Sequence, residues 1–253
     1  MMDENLKKVL RPMYYWTESR LNFILGFLFP SRIKDYKRIP IIINNRNRLT
    51  FLLQLLNNLE IRGYSNIYII DNNSSYPPLL EYYKKCQYHI FRLDSNVGHL
   101  ALWKTKIYKR FIKDFYVYTD PDVVPIEECP NDFLSFFMDT LKKYRFVQKV
   151  GFSLKIDDLP DYFSKKEEVI KWERHFFETK ADDKLYLAHV DTTFALYRPW
   201  AWNGANYYHQ TFRTAHPYSA RHMPWYVDSS NLTEEEHYYI EHSETSTHWT
   251  KKE

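Results

Sequence analysis

Two carboxylates stand two positions apart at the end of an apolar run, in Phe115-Tyr116-Val117-Tyr118-Thr119-Asp120-Pro121-Asp122. A buried β-strand has no use for adjacent charges unless something at its end neutralises them. Carboxylates so placed suit a divalent cation held against a phosphate-bearing ligand, because hard cations take oxygen ligands and complete their shells with phosphate and water. They equally suit a polar turn in which both aspartates are solvated or cap a helix. What separates the two readings is whether the preceding chain builds a nucleotide site.

That preceding chain is regular. Ile39-Pro40-Ile41-Ile42-Ile43 is a β-branched strand ending in the polar cluster Asn44-Asn45-Arg46-Asn47-Arg48. A helix from about Thr50 carries Leu52, Leu55, Leu56 and Leu59 on one stripe, with Gly63 near its end. A strand over 67–70 closes on Asp71-Asn72-Asn73-Ser74-Ser75, and a helix over 79–85 leads to a strand over 89–93. Asp94-Ser95-Asn96-Val97-Gly98-His99 follows, then a helix through Trp103 and Tyr108, then the strand that delivers Asp120. This β-α alternation predicts an α/β fold with a mostly parallel central sheet flanked by helices. Its polar loops converge on the carboxyl edge, where such sheets bind ligands. Further on, the pattern predicts a helix from 133 capped by Asn131 or Asp132, a strand over 150–156 and an amphipathic helix over 165–179. A strand-like run over 185–197 surrounds a polar centre. From Trp200 the chain is weakly periodic and reads as an irregular region, followed from Thr233 by an acidic, polar tail that offers a helix or a mobile end.

The loops, in this order and on strand ends, resemble those of a GT-A glycosyltransferase of the large family-2 type. The matching residues are Ile42-Ile43-Asn44-Asn45-Arg46, Ile69-Ile70-Asp71-Asn72-Asn73-Ser74, Asn96-Val97-Gly98 and Asp120-Pro121-Asp122. The match covers residues 39–125 well and the later half loosely. It implies a GT-A type, Rossmann-like single domain over 39–253. Residues 39–125 form its nucleotide-binding half, 126–230 an acceptor half and 231–253 a polar tail, while 1–38 stand outside as an N-terminal extension. It implies transfer of one sugar from a UDP- or GDP-sugar to a glycan or lipid-linked acceptor, with Mn2+ or Mg2+ as cofactor. Pro121 between the two carboxylates departs from many relatives and stiffens the loop.

Carried onto this chain, Asp122 is the metal ligand and Asp120 contacts ribose or a metal-bound water. Asn44, Arg46, Asp71, Asn73 and Gly98 bind the donor, with Arg46 equally open to being a solvated loop cation. Asp71 can accept hydrogen bonds from a base edge or the ribose, or serve as a turn residue. Gly98 permits close backbone approach or a plain helix-entry turn. An inverting transferase needs a carboxylate to deprotonate the acceptor, and Asp191, interrupting a strand-like run, is that candidate. His222 is the first choice for a late third metal ligand, with His216 second. Arg213 or Arg221 is offered to neutralise diphosphate, and Trp225 and Tyr226 to stack on a sugar or to close the core. Asp157, Asp158 and Asp161 read as solvated surface.

Composition narrows the class. With 35 basic and 32 acidic residues, a formal charge of +3 is too balanced to argue for nucleic acid. Cys86 and Cys129 lack the spacing of a disulfide framework or a zinc site, so a reducing, cytoplasmic compartment is expected and the Asn-x-Ser/Thr matches at Asn72, Asn73 and Asn231 are coincidental. Aromatics make 18% of the chain, enough for sugar stacking as well as core filling. Residues 21–29 are apolar but too short to span a bilayer. With Tyr14, Tyr15 and Trp16 before them and Arg32, Lys34, Lys37 and Arg38 after, residues 14–38 either touch a membrane surface or pack on the domain. A catalytically inactive nucleotide-sugar-binding scaffold and a nucleotidyltransferase are the competing readings. The second usually opens with a glycine-rich loop, and residues 44–48 contain no glycine.

Overall fold

The computed structural model describes residues 4–190, 194–201 and 211–243. After the helix α1 (Glu4–Leu28) come β1 (Ile41–Asn45), α2 (Thr50–Ile61), β2 (Ile67–Asp71), α3 (Pro77–Lys85), β3 (His89–Arg92), α4 (Ala101–Lys104) and β4 (Tyr116–Thr119). The expected alternation is therefore present. One helix is shorter than its pattern: α4 stops where Lys106 takes a left-handed φ of 63°, and a separate turn follows.

The second half adds β5 (Val123–Pro125), α5 (Phe133–Lys143), β6 (Lys149–Leu154), α6 (Lys166–Arg174), β7 (Lys180–Asp182), β8 (Leu185–Leu187), β9 (Ala195–Tyr197), β10 (Thr211–His222) and α7 (Glu234–Glu241). All the strands join one sheet, in the order β3-β2-β1-β4-β9-β6-β10-β8-β7, with β5 on the far part of β10. Strands β3, β2, β1 and β4 pair in parallel, as do β6 and β10, whereas β9, β8 and β5 run against their neighbours. The sheet is thus mixed, with most strands sharing one direction and helices covering it.

Two layers of apolar side chains fix that arrangement. Ile41 and Ile43 point to one face, under Leu52, Leu55, Leu56 and Leu59 of α2 and Phe133 and Phe137 of α5. Ile42 points to the other, with Ala101, Leu102, Tyr116 and Tyr118. A strand buried on both faces explains the unbroken β-branched run of β1. Gly151 in β6 is demanded by packing, since a Cβ there would lie 2.5 Å from Val190 Cγ1 and 2.8 Å from the Phe194 carbonyl oxygen.

The region beyond Trp200 is not irregular throughout. Thr211–His222 forms the longest strand, and Pro217, which masks the pattern in the sequence, sits where its ladder with β6 breaks between Thr214 and Ser219. Proline is tolerated there because no ladder hydrogen bond is required of it.

Candidate functional site

The loops that follow β1, β2, β3 and β4 meet at the carboxyl edge, and side-chain amides hold them in register. Asn47, almost fully buried and left-handed at φ 53°, accepts from Ser75 N at 2.7 Å and Tyr76 N at 3.0 Å, while its own N–H donates to Ser74 Oγ. This ties the first loop to the second. Asn72 ties the second to the third: its Oδ1 accepts from Val97 N at 2.9 Å and its Nδ2 donates to the Gly98 carbonyl at 3.0 Å. Gly98 has a φ of 79°, which favours glycine, whereas space does not require it, since the nearest atom to an added Cβ is Lys104 Nζ at 4.0 Å. Asn73 is exposed in a left-handed turn at φ 59°.

Within this frame Asp71 is fully buried. One carboxylate oxygen accepts from Ser74 N at 3.2 Å, and the other has only the Arg92 Nε at 3.5 Å. Burial raises its carboxyl above the ordinary range, against the pull of Ser74, Arg92 and Arg46. Asn44 and Asn45, at the end of β1, each keep a buried side-chain oxygen without a hydrogen bond. Leaving several such buried acceptors unmet on one strand edge costs free energy.

Asp120 and Asp122 follow β4 on the same edge, and β4 pairs directly with β1. Beyond them, β5 pairs antiparallel with β10 so that Val123 faces His222, and Met223 N donates to the Asp122 carbonyl at 2.8 Å. That pairing, across about a hundred residues of sequence, brings His222 Nε2 to 3.7 Å from Asp122 Oδ2. Asp122 Oδ1 and His222 Nδ1 are both buried without a hydrogen bond. Burial lowers the His222 imidazole below its ordinary value, with Asp122 opposing, so the ring is neutral at pH 7. A carboxylate and a neutral imidazole side by side fit a divalent cation. Among the described residues no group of three His, Cys, Asp or Glu side chains is arranged to hold one. An ion at this pair would need ligand phosphate and water to complete its shell, as Mg2+ commonly does.

The edge is roofed by α7, in the tail that offered either a helix or a mobile end. Its Glu235 accepts from Leu49 N, Thr50 N and Thr50 Oγ1 at 3.0–3.1 Å and so caps α2 from outside. Glu236 pairs with Arg48 at 2.6 Å, and the Arg48 guanidinium lies 3.5 Å over the Tyr239 ring. Burial raises the Tyr239 hydroxyl, with Asp122 and Asp120 adding to it and Arg48 opposing. Arg46 donates to the His242 carbonyl at 3.2 Å. Arg48, Asn47, Asn72 and Tyr239 were given no role in the sequence. The first three lie in the polar clusters that follow β1 and β2, and Tyr239 alone lies outside them.

Several expectations are corrected here. Arg213 is buried in an ion pair with Glu173 at 2.6 Å and donates to the His189 carbonyl, so it is not available to a diphosphate. Arg221 is held by Asp158 at 2.8 Å and Glu127 at 2.7 Å, and Asp158, read as solvated, also accepts from Tyr226 Oη. Trp225, 2% exposed, fills the core against His222 and does not present a sugar-stacking face. His216 is exposed at the break in β10. Asp191 lies outside the described residues.

No protein-family model matches the chain, and no curated protein matches it in sequence. Its fold is similar to several solved structures. One is S. aureus TarS 1-349, at 15% identity and a TM-score of 0.38 over 64% of this chain and 47% of that one. Another is a cytidylyltransferase from Leptospira borgpetersenii, at 15% identity and 0.34 over 56% and 72%. A third is glucosyl-3-phosphoglycerate synthase from Mycobacterium tuberculosis with phosphoglyceric acid, at 10% identity and 0.37 over 69% and 61%. The chain spans about half the length of the TarS fragment. At such identities and scores these likenesses carry no argument about activity. The α/β fold rests on the strand order and registers of the chain itself.

Proposed function

We propose that this chain is a metal-dependent glycosyltransferase that moves one sugar from a nucleoside-diphosphate sugar to a hydroxyl acceptor. The observation that carries the reading is the juxtaposition of Asp122 and His222, each with an unmet buried atom, on the strand edge that also holds the buried Asp71. Asp71 and the Asn44 and Asn45 oxygens accept from the N–H groups of a base and the hydroxyls of its ribose. Arg46, lowering Asp71 from nearby, balances charge at that end. Asp122 and His222 would hold a Mn2+ or Mg2+ ion, with Asp120 on the ribose side. When bound, the ion neutralises charge that develops on the leaving diphosphate. Asp191 takes the proton of the acceptor hydroxyl, and attack opposite the leaving group inverts the anomeric centre.

The lack of glycine in residues 44–48 argues against nucleotidyl transfer, whose triphosphate needs backbone N–H groups at close range. A thermal-shift screen of UDP- and GDP-sugars with and without Mn2+ tests the proposal. A donor that binds the folded state raises the midpoint, and the rise should require Mn2+ and disappear in Asp122→Asn. Binding with no donor hydrolysis or transfer across an acceptor panel would turn the reading into a binding scaffold. No shift with any nucleotide sugar would end it.

A further inference from the structure

The helix α1 is set with its polar side in and its apolar side out. Glu18, Ser19 and Asn22 are buried against the domain, and Asn22 Nδ2 donates to the buried Gln148 Oε1 at 3.0 Å. Leu10, Met13, Tyr14, Trp16, Leu21, Ile24, Phe27 and Leu28 are exposed, and Phe27 is 76% exposed. At 100° per residue these outward side chains fall within an arc of roughly 160°, and residues 10–28 extend it over roughly 27 Å. A surface helix ordinarily turns its apolar stripe to the core, so this is an unpartnered apolar face far larger than scattered surface residues make.

The surroundings identify what the face meets. Helix α1 lies along the amino edge of the sheet, held by Ser31 Oγ and Arg32 N donating to Asp114 Oδ1 and by Trp200 Nε1 donating to the Phe29 carbonyl. Between it and the domain is a cavity of about 310 Å³, lined mostly by apolar atoms of Phe23, Phe27, Phe115, Met138 and Leu141 and rimmed by Lys34, Lys142 and Arg145. Lys142 is shared with Asp139 at 3.0 Å. Arg32, Lys34 and Arg145 are exposed. Arg20, within the stripe, spreads its guanidinium 3.9 Å over Trp16 and 4.4 Å over Phe146, an apolar stem with a charged head. Apolar and aromatic side chains bordered by cations are the pattern of a helix lying in the interface of an anionic bilayer. Among the described residues no helix is long and apolar enough to cross a membrane. A second copy is the poorer occupant, because it would set the same basic border against itself.

We propose that α1 and its basic border dock this protein flat on an anionic lipid bilayer, with the cavity beneath the helix open to an acyl chain. Because α1 sits on the amino edge, the Asp122 and His222 edge then faces away from the lipid.

Sedimentation of the full chain with vesicles tests this. The protein should pellet with phosphatidylcholine vesicles carrying about one phosphatidylglycerol in three, and stay in solution with pure phosphatidylcholine or at high salt. Ile24→Glu/Phe27→Glu, at exposed positions, should weaken binding about tenfold or more while circular dichroism and thermal midpoint are kept. Lys34→Ala/Arg145→Ala should weaken it by a similar amount, since each basic residue near the surface contributes a factor of about five. Failure to bind anionic vesicles, or equal binding to both compositions, overturns the proposal. So does a concentration-dependent dimer that forms without lipid and is abolished by Ile24→Glu/Phe27→Glu.

Discussion

The two edges of the sheet depart from ordinary burial in opposite ways. At the carboxyl edge, Asn44, Asn45, Asp122 and His222 bury polar atoms that no hydrogen bond meets. At the amino edge, α1 exposes Leu21, Ile24, Phe27 and Leu28 and buries Glu18 and Asn22. Each departure costs free energy in the isolated chain, through desolvated polar atoms in one case and hydrated apolar surface in the other. A polar or charged ligand lowers the first cost and an apolar one the second. The contrast teaches that the sign of the exception, more than its location, indicates the chemistry of the partner.

Burial of charge alone does not make such an exception. Arg213 and Glu173 are buried much as Asp71 is, but they meet each other at 2.6 Å and Arg213 also lies over the Phe176 ring. A satisfied pair has nothing to offer a ligand.

Substitutions can separate the edges. The largest expected effect is Asp122→Asn, which should lower kcat/KM for donor turnover by roughly 1,000-fold while leaving vesicle binding intact. If turnover survives, the carboxyl-edge reading fails. Glu173→Leu leaves Arg213 buried without its partner and should cost about 3 kcal/mol in urea unfolding. Its Mn2+-dependent donor midpoint shift should remain, which would confirm that this buried charge is structural. The vesicle variant Ile24→Glu/Phe27→Glu should show the mirror image of Asp122→Asn, with about tenfold weaker lipid binding and unchanged donor turnover in solution. Loss of both together would merge two edges that the structure keeps apart.

Smaller effects sharpen the roof and the base pocket. Glu235→Ala removes the carboxylate that caps α2 from α7 and should cost about 1 kcal/mol. Proteolysis near residue 233 reports whether α7 is thereby released. For Asp71 the sign is the informative part. Folding raises its carboxyl by burial, so the ionised form is disfavoured in the folded state. The penalty is absent below the unfolded carboxylate range and grows as pH rises through the folded value. Asp71→Asn should therefore raise the thermal midpoint at neutral pH, lose that advantage in acid, and weaken nucleotide binding. A midpoint lowered at neutral pH would make Asp71 a structural residue of its loop.

Much of the amino half was legible because its information is local. The β-branched run 41–43, the leucine stripe of α2 and the polar clusters after each strand state period and punctuation within a few residues. Their convergence follows from the handedness and parallel pairing of such units. Asp71, Asp120 and Asp122 were therefore found as strand-end carboxylates before any coordinates. The later half was harder to read. Pro217 interrupts the pattern of β10, and α7 has few apolar residues because its contacts to α2 and Arg48 are made by Glu235 and Glu236.

By itself, the sequence determined the order of elements, the buried strands and the acidic pair at the end of β4, since these depend on periodicity and on the cost of burying unpaired charge. Only the tertiary structure decided which polar side chains remained available. Arg213, Arg221 and Trp225 have the side-chain types of a ligand site, yet Glu173, Asp158 and the core claim them first. His222 was a candidate by residue type and neighbours alone, and it is the β5–β10 pairing that sets it beside Asp122. The same holds for α1, whose apolar residues are written in the chain but whose outward direction is set by Asn22, Gln148 and Asp114. Partners distant in sequence compete for the same groups, and that competition is resolved only when the chain is folded.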